Sequence, residues 1–162
     1  MVINTDTTTT TLPSGRLMTH RCLVMVGNMK GAGGFGMGKG ENSQLAMKRA
    51  FRYVDAVKNV FFVDLYDNFG LAHDLMGKHN ACRVYIRATP RGRMFVGSPL
   101  SRAILNRFGI SSASVRIVGR RDPYAVCRAF SYALQNHENL DEFARDRGLR
   151  YLTLRWIYDN KI

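Results

Sequence analysis

Seven glycines and two lysines crowd into the fourteen positions from Gly27 to Gly40, GNMKGAGGFGMGKG. Such a run suits phosphate chemistry, because bare backbone N–H groups can close on an anion while an ammonium meets its charge. Gly31, Gly33 and Gly36 match the dinucleotide pattern GxGxxG, and Gly33, Gly38 and Lys39 match the P-loop as far as its lysine. In the dinucleotide fold the third glycine already lies in a helix, and Gly38 and Gly40 would break that first turn. The P-loop match lacks its magnesium-binding hydroxyl, since Gly40 stands in that place.

Other catalytic chemistry is thinner. His73 and His79 are six apart, not four, and Asp64, Asp67 and Asp74 have no partner base. Cys22, Cys82 and Cys127 form no CxxC pair and lie near no histidine at metal spacing, so they read as buried thiols of a reducing compartment. His20 and His137 read as surface or satisfied polar residues. No catalytic residue, cofactor or metal ligand is expected.

The run can instead be a strand. Ala32, Gly34, Gly36, Gly38 and Gly40 then share a face almost without side chains, with Phe35 and Met37 pointing the other way into a core. A bare strip admits another backbone. That backbone is either a sugar-phosphate chain steered by Lys30 and Lys39, or the following helix; periodicity leaves both open.

The elements around the run set its place. Residues 2–12 are threonine-rich and β-prone, forming either a strand or a disordered leader. The turn PSGR joins them to a strand near 17–27, and 31–39 makes a third. From Glu41 to Asn59 the period becomes helical, with Ala46, Ala50, Val54 and Val57 on one face, Leu45, Met47 and Phe51 beside it, and Lys48, Arg49 and Arg52 largely opposite. NVFFVDLYD reads as a strand and NFGLAHDLMGKHN as an acidic connection. Then come a strand at 81–88, a basic glycine loop, a helix at 99–109 capped by Ser98 and opened by Pro99, a strand at 112–119, and a helix capped by Asp122 and opened by Pro123. The order is β-β-β-α, then β-β-α-β-α, in an α+β chain.

The chain has 162 residues, 46% of them hydrophobic, enough for one or two small domains. Its net charge of +12 favours a polyanionic partner, nucleic acid ahead of an anionic membrane surface. No apolar run approaches the roughly 20 residues needed to span a bilayer, and the start has neither a signal core nor an Arg-rich presequence. Two basic segments, 1–59 and 79–137, flank an acidic bridge, and the tail from Glu138 is balanced. All ten cations of the second segment are arginine, among them Arg91, Arg93, Arg102 and Arg128. Arginine pairs two-pronged with phosphate and stacks on bases.

LVMVGNMKGAGGFGMGKG followed by AMKRAF resembles the signature of the small-subunit ribosomal protein five family, the universal uS-five family. PRGRMFVGSPLSRAILNRFGI and VGRRDPYAVCRAF are similar to its two second-domain segments. PRG at 90–92 and the tail FARDRGLRYLTLRW look most like the mitochondrial branch.

The resemblance implies a double-stranded-RNA-binding-like β-β-β-α domain over residues 1–66. It implies a β-β-α-β-α domain with a left-handed crossover over 67–140, and a tail at 141–162. It implies a non-enzymatic constituent of the small ribosomal subunit that binds ribosomal RNA and supports assembly and decoding accuracy. Implied partners are the neighbouring proteins numbered three, four and eight, with messenger RNA close by where it enters. The implied location is the mitochondrial ribosome in the matrix, with a bacterial-type or plastid ribosome as the alternative. Carried over by position, Ser14 to Arg16 form a loop tip that approaches RNA, and Gly31 to Lys39 the glycine hairpin. Asp122 stands where the family has asparagine, which moves the contact to Arg120 and Arg121. The RNA-facing set is then Arg16, Lys30, Gly33, Gly34, Gly36, Lys39, Lys48, Arg49, Arg52, Arg91, Arg93, Arg102, Arg120, Arg121 and Arg128. The tail's YLTLRW alternation suggests a protein partner or an added strand. The rival readings are a nucleotide-binding enzyme using Gly31 to Lys39 and a free RNA-binding regulator.

Overall fold

A computed structural model describes residues 1–55, 59–66, 68–90 and 92–160. The threonine-rich start is strand β1 (Val2–Leu12), paired antiparallel with β2 (Gly15–Gly27) through a turn at Pro13 and Ser14. The glycine run forms β3 (Ala32–Gly40), followed by helix α1 (Ser43–Asp55) and a short β4 (Val60–Phe62). These four strands make one antiparallel sheet in the order β1-β2-β3-β4. The second half contributes β5 (Leu75–His79), β6 (Cys82–Ala88), α2 (Pro99–Phe108), β7 (Ala113–Gly119) and α3 (Pro123–Gln135). Its strands form a second antiparallel sheet, β5-β6-β7.

Two expectations change here. The stretch read as an acidic connection contains β5, so the first strand of the second unit is Leu75–His79, while Val60–Phe62 joins the first sheet instead. Among its described residues the tail adds no strand. It forms α4 (Leu140–Asp146) and α5 (Leu154–Asn160), with Thr153 Oγ1 accepting from the Trp156 amide at 3.2 Å to cap the last helix. Around α2, a parallel bridge joins Val96 to Ser114.

The buried run of β2 explains how the halves meet. Successive strand residues face opposite ways. Cys22 and Val24 pack with Ala46 and Ala50 of α1, while Leu23 and Met25 join the main core with residues of the second half. The stretch Cys22–Met25 of β2 is thus covered on both faces. α3 closes the second sheet with Val126, Phe130, Ala133 and Leu134, against Leu75, Val84 and Ile86. Phe108, at the end of α2, is buried in the core the two halves share, 5.1 Å from the Phe61 ring and 6.3 Å from Phe35. Gly109, at φ 91°, ends α2 in the left-handed conformation that glycine adopts without strain, and Ile110 N donates to Leu105 O at 2.9 Å.

All three cysteines are free and buried, as expected. Burial pushes the Cys127 thiol up to about 12, with the Asp122 carboxylate adding to it. Ser98 caps α2, its Oγ accepting from Ser101 N at 3.2 Å. Asp122 occupies the corresponding position before α3 but makes no side-chain cap bond; it lines the cleft between the halves.

Candidate nucleic-acid interface

The glycine run is strand, and its neighbours are protein. Register sets Gly34, Gly36, Gly38 and Gly40 opposite Val26, Val24, Cys22 and His20, on the face covered by α1. A Cβ on Gly38 would overlap the Ala46 carbonyl and the Ala50 amide, and one on Gly34 would overlap the Asn59 carbonyl. On the opposite face, a Cβ on Gly33 would strike the Phe108 ring. Gly33, Gly34 and Gly36 are all buried, and at Gly33 and Gly34 the neighbouring protein atoms account for the missing side chains, while Gly36 also borders the cleft between the halves. A nucleotide cradle fails for the same reason, because the space over the run is filled by α1 and Phe108. Met37 is exposed instead of entering the core, while Phe35 packs against it as expected.

The cations behave oppositely. Every expected Lys or Arg within the described residues is exposed, namely Arg16, Lys30, Lys39, Lys48, Arg49, Arg52, Arg93, Arg102, Arg120, Arg121 and Arg128. Arg91 lies outside the described residues.

Local structure spreads them over both halves of the chain. Arg16 pairs with Thr11 at the tip of the β1–β2 arm. Lys39 is the penultimate residue of β3, beside α1, where Arg49 Nη1 donates to its carbonyl at 2.9 Å, with Lys48 and Arg52 exposed on the same helix. Lys30 rides a turn whose amides are gathered by Asn28, the Oδ1 of which accepts from Lys30 N at 2.8 Å and Ala32 N at 3.0 Å. In the second half, Arg102 lies 5.4 Å from the Phe95 ring centroid, a cation–π contact that holds its guanidinium near the loop carrying Arg93.

A further group borders a cleft of about 610 Å³ between the halves, lined by Arg120 and Arg128 together with Arg21, Asp6, Asp122 and Tyr124. Arg21 stacks 5.6 Å from the Tyr124 ring centroid, and its buried Nε has no hydrogen-bond partner among the described residues. Burial, with Asp6 adding to it, pushes the Tyr124 phenol up to about 12. Arg21 was missing from the expected set because it begins an apolar run. Its signal was parity: Arg21 shares a face with Leu23 and pairs with Lys39 across β2 and β3. Arg121 lines a separate groove with Arg116.

The second half also joins two histidines. His73 and His137 stack with ring centroids 5.0 Å apart, and His137 Nε2 accepts from Ala72 N at 3.1 Å. No cluster of three potential metal ligands exists among the described residues.

Comparison with known proteins agrees with this layout. Residues 1–64 match the family described as ribosomal protein S5, N-terminal domain, and residues 77–147 match ribosomal protein S5, C-terminal domain. Small ribosomal subunit protein uS5 from Brucella anthropi, and its counterparts from Brucella canis and Brucella suis, are each 33% identical over 141 residues. The alignment covers 87% of this chain and 75% of each relative.

Proposed function

The chain belongs to the ribosomal protein S5 family, and on that premise we propose how it serves the small ribosomal subunit. It is a structural constituent of that subunit and not an enzyme. It holds ribosomal RNA by neutralising phosphate and fitting folded shape, since arginine and lysine displace condensed counterions and structured RNA is recognised by form more than by base edges. One observation carries this reading: the glycines are buried in protein while the expected cations stand exposed around them.

The contacts we assign are the arm tip at Arg16, the α1 face with Lys39, Lys48, Arg49 and Arg52, and the second-half cations Arg93, Arg102, Arg120, Arg121 and Arg128. Three finer readings rest on the resemblance. They are contact with the neighbours numbered three, four and eight, nearness to incoming messenger RNA, and a mitochondrial home. The last is supported by the branch-like PRG and tail segments; the relatives described above are bacterial.

Cosedimentation after a high-salt wash tests the assignment. A subunit constituent stays with the particle, whereas a free RNA-binding regulator washes off. Recovery from purified mitochondrial small subunits would support the mitochondrial reading, and recovery only from other particles would overturn it.

A further inference from the structure

The second sheet has one covered face and one open one. α3 packs on the face carrying Leu75, Val84 and Ile86. The alternate residues Lys78, Arg83, Arg87 and Arg116 stand exposed on the other, with Met76 and Val118 exposed beside them. None of these four cations belongs to the set expected from sequence.

Register arranges them around an aromatic. Tyr85 lies opposite Met76 on β5 and Arg116 on β7, with Arg83 and Arg87 two residues away on its own strand. Neighbouring strands run about 4.8 Å apart, and alternate residues on a strand are about 7 Å apart. One nucleotide spans that distance. Lys78 lies directly opposite Arg83. Like charges in that relation destabilise a sheet. None of the four cations forms an ion pair or side-chain hydrogen bond among the described residues. The nearby Asp74 is engaged, its Oδ1 accepting from Ala88 N at 2.9 Å. An intrinsic repulsion left unneutralised on an exposed face calls for a polyanion.

We propose that the open face of β5-β6-β7 binds an unpaired segment of RNA, with a base stacked on Tyr85 and flanking phosphates met by Lys78, Arg83, Arg87 and Arg116. Arginine forks and an aromatic platform suit single strands, whose bases are free to stack. A protein partner would leave the Lys78 and Arg83 repulsion in place unless it brought carboxylates. This proposal rests on the ribosomal reading above.

Two measurements on the full chain test it. In the first, Tyr85→p-benzoylphenylalanine is expressed in cells, small subunits are purified, and the cross-linked product is identified after irradiation. Cross-linking to RNA is expected; cross-linking to a protein, or to nothing, overturns the proposal. If the unmodified chain fails to cosediment, the ribosomal reading falls as well, so the two failures are distinguishable. In the second, Lys78→Gln, Arg83→Gln, Arg87→Gln and Arg116→Gln are combined, and binding to single-stranded oligouridine is followed against salt. At roughly 0.7 decade per neutralised phosphate on single strands, the slope of log affinity against log salt should flatten by about 3. An unchanged slope with an intact fold overturns the proposal.

Discussion

The amide of Gly31 donates to the carbonyl of Phe108 at 2.8 Å, tying the turn before β3 to the last carbonyl of α2. Met29 N donates to Arg107 O at 3.0 Å in the same joint. Two residues 77 positions apart thus end a helix in one half of the chain with the backbone of the other. The Phe108 ring then packs on Phe35 and Phe61 of the first sheet, inside the core the two halves share.

Removing that ring should loosen both halves together. Phe108→Ala is expected to cost about 3–5 kcal/mol, the range for truncating a buried aromatic. Urea unfolding followed by near-ultraviolet dichroism and by amide exchange should show one shared transition at lower denaturant. Separate transitions for the two halves would contradict a common core.

Gly38→Ala tests the packing role of the glycine strip. Its Cβ would meet backbone of α1, which cannot yield as a side-chain tip can. The expected loss is about 1–3 kcal/mol, read from thermal unfolding. A stable variant with weakened RNA binding would restore the idea that this strip touches RNA.

The α1 cations should act in the opposite sense. Lys48→Gln and Arg52→Gln alter exposed side chains, so stability should stay within about 0.5 kcal/mol. Binding to ribosomal RNA should weaken, and the salt slope should flatten by roughly 0.7–0.9 for each phosphate no longer neutralised. Filter binding across a salt series checks this; an unaltered slope removes α1 from the interface.

The histidine pair makes stability depend on pH. Burial first, and the neighbouring His73 second, hold His137 below its ordinary 6.5, with Asp64 pulling weakly the other way. The folded state therefore binds fewer protons than the unfolded chain. This contribution is fully present above about pH 6.5 and is lost as pH falls toward the lower folded value. The slope cannot exceed about 1.4 kcal/mol per pH unit for one proton. Denaturation midpoints measured between about pH 5 and 7.5 should show the drop, and His137→Gln should flatten it.

Much of the architecture was legible because its signals are local. Ser98 with Pro99 marks a helix start, PSGR marks a hairpin, and β2 and β6 show their strand character over short windows. What escaped depends on partners distant in the chain. β5 is five residues containing Gly77, whose missing side chain makes room for α3 and hides the period. The tail alternates like a strand, yet 154–160 becomes a helix, which satisfies its own backbone bonds without a neighbouring strand. For the site, arginine type and exposure were readable. The grouping of Arg21 with Arg120 and Arg128, and the crowding of Lys78 against Arg83, come only from register and from the meeting of the halves.

The double-faced burial of β2 also governs how the chain emerges during its own synthesis. Leu23 and Met25 are made early, but the core that receives them includes Phe108 and Phe130. At roughly 5–20 residues per second, the finished first sheet shows an uncovered greasy side for about 3–14 s. Newborn chains are therefore most prone to clump before α3 leaves the tunnel, and a holding chaperone has its greatest value in that interval.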